Sequence, residues 1–566
     1  MQPKTTESGV DAVVARVGAM PFLAIVALLM LLPGLATLPP MDRDEPRFAQ
    51  ASKQMLETSD FVAIRFGDEA RNKKPVGIHW LQAATVRLAE LAGVPDARRR
   101  IWLYRVPSLL GAVAAVLLTY WAALPLVTRR GAILAAMLMA ATPLLGAEAR
   151  LATTDAVLCA TVTAAMGALA RVYLADPETR RRKIGPAAIF WLAMGIGILI
   201  KGPITPMIAA FGSIVLSVRD RSARWLRALR PLRGAALCLL IVLPWFILIL
   251  VKTHGTFFTE AVGRDLIGKV EGGQEMHGAP PGFYALAFWL TGWPLAPFLA
   301  LAAPALWRSR RDPAAIVLLA WVVPAWLLFE AVPTKLVHYA LPLYPALAIL
   351  AVFGLEGSVP LSRVFRAPAG WILFGLLSLV PAAVLALVVA GEGWLWTLGP
   401  VGLALAALAM LASATAAWAA RRALIGRNFY GAGTLAVLAA WPVYLFVFGW
   451  LLTPGVAASL AVSPRLASAA DAALGPACPH PRYATVGDRE PSLMFATDAG
   501  LLMTDPVGAA QFMAEGDCRV AFVEAPQEAA FRAALGPALP VRQAARVGGI
   551  AINGGHTLDI GVYIRQ

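Results

Sequence analysis

The chain has 566 residues, of which 59% are hydrophobic and only 15% charged, with 17 Trp and a formal charge of +15. A mean hydropathy of +0.67 excludes an ordinary soluble domain, because so much apolar surface needs a membrane as its solvent. The positive charge does not point to nucleic acid: the basic residues sit in short loops between apolar runs, and no basic stripe with interleaved aromatics stands outside those loops.

In chain order, apolar runs fall at 19–38, 101–126, 131–146, 155–174, 186–200, 203–218, 234–252, 282–306, 313–330, 338–356, 369–391, 398–419 and 430–452. Runs of this kind cross a hydrocarbon core of about 30 Å as helices, so the predicted fold is mainly α and polytopic, with about 13 transmembrane helices. The first run, Met20 to Leu38, follows a polar leader with no small-residue cleavage site and is expected to be retained. Basic residues recur in every second loop, at Arg129 and Arg130, Arg180 to Lys183, Arg219 to Arg233, Arg308 to Arg311, Arg363 and Arg366, and Arg421 to Arg427. By the positive-inside rule those loops are cytoplasmic, which puts the amino terminus inside and the tail after Pro454 outside.

The outer loops are uneven. The first, about residues 39–100, is long and charged; Phe48 with Met55 and Leu56, and then Ile78, Leu81, Thr85, Leu88 and Ala92, have the spacing of short amphipathic helices lying on the membrane surface. A second loop, 253–281, holds His254, Glu260, Arg264, Asp265, Lys269, Glu271 and His277 between glycine-rich hinges, and reads either as a lid over a substrate or as a passive connector. The spacing of its histidines matches no compact zinc pattern. In the tail, Tyr483 to Val486, Val520 to Val523 and Ile560 to Ile564 read as strands, and Pro506 to Ala514 and Gln527 to Leu535 as helices. The division is therefore a transmembrane domain, 1–454, and a small C-terminal α/β periplasmic domain, 455–566. Cys159 and Cys238 lie in apolar runs, whereas Cys478 and Cys518 share the exported tail and are either a disulfide or two free thiols.

The chemistry is expected at the outer face. The first loop opens with Asp44, Glu45 and Arg47 and continues to Lys74, and the next outer loop carries Glu148, Arg150 and Asp155. Carboxylates from two loops that converge on one site can orient a hydroxyl, take a proton or bind a metal. Asp44 ahead of Pro46, and Thr154 with Asp155, also fit helix N-caps. Lys74, Lys201 and Lys335 each interrupt an apolar stretch at its outer end, where a charge costs about 2.5 to 3.5 kcal/mol on insertion scales. Snorkelling to the headgroups answers that cost for one lysine; three at the same face call for an anion, and a lipid phosphate has the right depth and sign.

These residues carry a resemblance. Asp44-Glu-Pro-Arg-Phe-Ala, Lys74-Pro, Trp80-Leu-Gln-Ala, Arg150-Leu-Ala-Thr-Thr-Asp155, Lys201-Gly-Pro and Lys335-Leu-Val-His-Tyr-Ala-Leu-Pro-Leu-Tyr-Pro345 occur in the order found in the bacterial lipid A aminoarabinose (4-amino-4-deoxy-L-arabinose) transferases, which the chain resembles. The resemblance implies a GT-C fold shared with protein O-mannosyltransferases, an undecaprenyl-phosphate sugar donor, and lipid A or another glycan or protein acceptor on the periplasmic face of the inner membrane. It implies Asp44 and Asp155, with Glu45 beside them, as catalytic carboxylates. It places Lys74, Lys201, Lys335 and Tyr339 around the lipid phosphate, and Arg47 and Arg264 are expected to join them there. No metal ligand is assigned and no cofactor is required, a divalent metal being the open alternative. The sequence departs from the pattern at Lys73-Lys74-Pro75-Val76, where the relatives have a lysine followed by two prolines. The alternative within the enzyme class is transfer of another sugar, galacturonate or a hexose, to lipopolysaccharide, an envelope glycan or protein Ser/Thr. A transporter is the rival from another class, but its ionisable groups belong at the midplane between repeated halves, and no repeat is evident.

Overall fold

The computed structural model describes residues 9–41, 44–182, 184–261, 263, 278–357, 363–391, 399–451, 454–536, 539–552 and 555–565. Among them, eight helices are long and apolar enough to cross a membrane, from Ile101–Ala123 to Phe429–Leu451, and three shorter apolar helices, Ala19–Leu31, Gly185–Lys201 and Ile204–Arg219, accompany them. The chain is a multi-pass membrane protein. Two of the expected runs are broken. The run at 131–146 becomes Arg129–Ala140 and Pro143–Glu148 because Thr142, ahead of Pro143, is extended at ψ 131°. The run at 282–306 becomes Phe283–Thr291 and Leu295–Ser309 around Gly292-Trp293-Pro294.

Small residues set how closely the helices pack. A Cβ added to Gly111 would lie 2.8 Å from the Val157 backbone, so Ile101–Ala123 and Asp155–Leu174 meet at van der Waals contact there. A second close approach matters more for the site: a Cβ on Gly77 would lie 2.7 Å from the Leu199 carbonyl oxygen. Gly77 begins the helix Gly77–Leu91, three residues after Lys74, and Leu199 is two residues before Lys201. The missing side chain lets two lysine-bearing segments come together.

Buried cations fasten the loops at this end of the bundle. Arg150 donates to the carbonyls of Pro33 (2.6 Å), Met30 (2.6 Å) and Gly146 (2.5 Å), with its guanidinium 3.9 Å from the Phe448 ring centre. Carbonyls that end the Ala19–Leu31 helix and the turn after it would otherwise lack donors. Arg105 does the same for Leu35, Leu38 and Pro39, at 2.7 to 2.9 Å.

The tail folds on a five-stranded sheet in the order Leu502–Thr504, Arg482–Val486, Arg519–Glu524, Thr557–Arg565, Arg542–Ile550. The first two pairings are parallel and the last two antiparallel. Helices Pro506–Ala514 and Glu528–Leu535 lie where expected, and Cys478 is bonded to Cys518. The sheet unit sits on the first loop: buried Lys53, in the helix Asp44–Thr58, donates to the carbonyls of Phe495 (3.0 Å) and Thr497 (3.2 Å) at the end of helix Pro491–Ala496. Burial holds its ammonium below the ordinary lysine range.

Candidate active site

The site is built from four segments, each starting or ending a helix. Asp155 is the first residue of Asp155–Leu174, and Lys201 the last of Gly185–Lys201; their side chains form an ion pair of 2.5 Å, almost wholly buried. Thr154 makes no capping hydrogen bond; its hydroxyl instead donates to Asp155 at 3.2 Å. The capping reading of this pair therefore gives way to one in which Asp155 answers Lys201. Tyr339 lies under the lysine, its ring centre 5.2 Å from Nζ.

His338 joins the pair to a second carboxylate. Its Nε2 lies 4.0 Å from Asp155 and its Nδ1 3.7 Å from Glu148, which also accepts from the Thr153 hydroxyl at 2.8 Å. Asp44 and Lys74, on the first loop, lie near enough for their charges to act on His338. Asp44 opens the helix Asp44–Thr58, half exposed, with Arg47 at 3.7 Å and Arg71 at 3.9 Å. Arg71 is itself held over the Phe48 ring at 4.4 Å. Lys335 is buried three residues before His338 and donates to the Val332 carbonyl at 2.7 Å. The neighbouring Thr334 pairs in a bridge with Gly278, the end of the 253–281 loop.

Glu45 departs from expectation. Both its oxygens are spent on Arg105 (2.6 and 2.9 Å) and on the backbone N–H groups of Ala152 (3.0 Å) and Met41 (2.9 Å), and the side chain is fully buried. A carboxylate saturated in this way has no lone pair for a substrate. Its work is to tie the loop bearing Asp44 to the loop bearing Asp155. The Ala152 carbonyl accepts from Gln82 (3.0 Å), which in turn accepts from Ser52 (2.6 Å), and the Thr153 carbonyl accepts from Ser108 (3.0 Å). His79 lies against Ser52 at 2.9 Å, and burial pushes it down to about 3, so it stays neutral.

The structure thus brings Asp155, Lys201 and Tyr339 into contact, sets Asp44 with Arg47, and links the groups through His338. Arg264 and His277 lie outside the described residues. His338 and Glu148 complete the arrangement. A lone histidine in an apolar run carries no periodic signal, and only its place between Lys335 and Tyr339 pointed at it. Among the described residues no group of three His, Cys, Asp or Glu side chains is arranged to hold a metal ion. Chemically, the end of the bundle offers an exposed carboxylate, a buried acid–lysine pair and a histidine between two acids. Tyr173, which accepts from the Arg219 guanidinium, lies near the far end of Asp155–Leu174, about 27 Å along the helix from Asp155 at 1.5 Å per residue.

Residues 92–256 match the family described as dolichyl-phosphate-mannose-protein mannosyltransferase. The chain is also similar to the undecaprenyl phosphate-alpha-4-amino-4-deoxy-L-arabinose arabinosyl transferases of Aeromonas salmonicida, 29% identical over 381 residues, and Pectobacterium carotovorum, 27% over 384. These matches take in 64% and 66% of this chain, which spans 65% and 64% of the length of those curated relatives. In three dimensions it is similar to ArnT from Cupriavidus metallidurans bound to undecaprenyl phosphate, with a TM-score of 0.76 at 20% identity, over 96% of this chain and 98% of that one. The resemblance read from the motifs is met again in these comparisons: the chain is similar in sequence to the aminoarabinose transferases and shares the fold of ArnT.

Proposed function

We propose that the chain is a glycosyltransferase of the bacterial inner membrane. It moves a sugar, 4-amino-4-deoxy-L-arabinose by the likeness to its curated relatives, from polyprenyl (undecaprenyl) phosphate to lipid A or another envelope acceptor. The observation that supports this reading is the buried Asp155–Lys201 pair beside Tyr339 and His338, within electrostatic reach of Asp44 and Lys74 on the first loop. An ammonium has three N–H donors; one held by Asp155 leaves two for a lipid phosphate. In this reading residues 1–454 form the catalytic membrane unit and 455–566 a periplasmic unit. The arginine-bearing end of the helices is cytoplasmic, as is the amino terminus.

The acceptor oxygen attacks the anomeric carbon, the bond from that carbon to the phosphate oxygen breaks, and the polyprenyl monophosphate leaves with the electron pair, inverting the centre. Lys74, Lys201, Lys335, Tyr339, Arg47 and Arg264 hold the phosphate and offset its growing charge. Asp44 faces the acceptor. A hydroxyl acceptor needs it as general base, whereas an acceptor phosphate arrives ionised and needs it only for orientation.

Two experiments test the reading. Replacing Asp44→Asn lowers transfer to a hydroxyl by about 10²- to 10⁴-fold, with donor binding unchanged; wild-type turnover removes the assignment. Mass spectrometry of lipid A from a deletion strain loses the aminoarabinose adduct; an unchanged spectrum moves the acceptor to another glycan or to protein.

A further inference from the structure

Between the first-loop helices and the tail lies a cavity of about 600 Å³ that shares no lining residue with the Asp155–Lys201 site. That size falls within the range of small-ligand sites, about 300 to 1,000 Å³. Its character is unlike that of a lipid or apolar peptide groove, because charged groups of both signs dominate its walls. The ammonium of Lys53 and the guanidiniums of Arg98 and Arg99 stand against the carboxylates of Glu57, Glu90, Asp96 and Asp498, with His480 and Tyr483 between them. Near-balance of charge argues against a polyanion. The density of donors and acceptors argues for a ligand made of hydroxyl groups.

The walls are fixed in place before anything binds. The rim Pro479-His480-Pro481 follows directly on Cys478, which is bonded to Cys518, and its two prolines stiffen it further. The opposite rim turns at Asp96, a non-glycine residue in the left-handed region at φ 51°, a strained conformation of the kind that clusters at functional sites. Asp471 ties the two sides, accepting from Arg99 at 3.1 Å and from Tyr483 at 3.3 Å. Lys53 forms part of the wall with its side chain 4% exposed; two of its N–H groups go to the Phe495 and Thr497 carbonyls, and Glu57 lies 4.0 Å away. Glu57 is partly desolvated, which raises its carboxyl above the usual range. A rigid, polar, two-signed cleft of this kind fits a saccharide, whose hydroxyls both donate and accept.

We propose that this cleft is a second binding site, for an uncharged stretch of saccharide belonging to the lipid-anchored acceptor. The proposal rests on the reading of the chain as a transferase acting on an envelope glycolipid. Asp44 and Lys53 lie nine residues apart on one helix, about 13 Å at 1.5 Å per residue, so an acceptor held in the cleft reaches the reaction centre along that helix.

The test uses the full-length protein in nanodiscs. The probe is a deacylated, dephosphorylated lipopolysaccharide core oligosaccharide freed of its carboxylate-bearing acidic sugars, with its phosphorylated parent as comparator. The dephosphorylated probe binds the wild type, and the parent binds more weakly. Glu57→Gln with Asp498→Asn weakens binding by about tenfold or more, as loss of hydrogen bonds to charged groups does. His480→Trp, an obstruction at an exposed rim position, does the same without touching the fold. Undecaprenyl phosphate binding stays unchanged in all of them. If the wild type binds the probe but transfers no sugar, the reading of the activity falls and the saccharide site stands. If it transfers sugar while the variants bind and turn over like the wild type, or if the wild type does not bind the probe, the site falls.

Discussion

At the scale of single residues, the pairing of charges decides which groups are free for chemistry. Glu45 and Arg105 are fully buried and saturated, so they belong to the scaffold. Arg105→Met leaves Glu45 charged and unpaired and costs about 3 to 5 kcal/mol; thermal unfolding followed in detergent reads the loss, and an unshifted midpoint contradicts the assignment. Asp488, in the tail, shows the opposite case. Its Oδ2 is buried with no hydrogen-bond partner among the described residues, and burial raises its carboxyl from 3.8 to about 6. Because the folded form binds the proton more tightly than the unfolded chain, the contribution of Asp488 to stability is full below about pH 4 and is lost as pH rises through about 6. Asp488→Asn keeps the acceptor for the Glu490 N–H and stabilises the tail at pH 7.5 by up to about 3 kcal/mol, with no gain at pH 4. Pairwise chemistry of this sort was only partly legible in the sequence. The lysines stood out because a charge at the end of an apolar run is costly and needs an explanation. The role of Glu45 did not, because its partner lies 60 residues away, and nothing local distinguishes a carboxylate that holds two loops together from one that meets a substrate.

At the scale of elements, apolar length located most spans, and two of their prolines mark breaks whereas Pro107, Pro244 and Pro324 sit within continuous helices. Thr142-Pro143 and Trp293-Pro294 lie inside runs that hydropathy alone joins, since a window average does not register the lost N–H or the extended residue before proline. Close helix contacts were equally silent, although glycine marks them in the structure. Gly111→Leu pushes a branched side chain into the Val157 backbone 2.8 Å away; overpacking of this kind costs about 1 to 3 kcal/mol. A fall in the thermal midpoint and in the yield of monodisperse protein reads it out, and a wild-type midpoint contradicts the contact. In the tail, three strands were readable from β-branched and aromatic runs. Arg542–Ile550 was not, because it is an edge strand with Gly548 and Gly549, an irregular register at Gln543 and Ala545, and little alternation.

At the scale of the whole molecule, the first loop is the keystone. Its helix Asp44–Thr58 carries Asp44 at one end, and Lys53 anchors the tail near the other, while Glu45 fastens the loop to the segment before Asp155. Periodicity gave this loop its helices but no partner, and the tail's position over it came only from three-dimensional packing. The proposed activity rests on transfer of a sugar from a polyprenyl monophosphate at the acid–lysine end of the bundle. The most direct measurement is sugar transfer by the purified protein from radiolabelled undecaprenyl phosphate aminoarabinose and a panel of other polyprenyl-phosphate sugars, comparing the wild type with Lys201→Met. The expected result is transfer by the wild type from at least one of these donors, and its loss in the variant. Absence of transfer from every donor, or undiminished transfer by Lys201→Met, contradicts it.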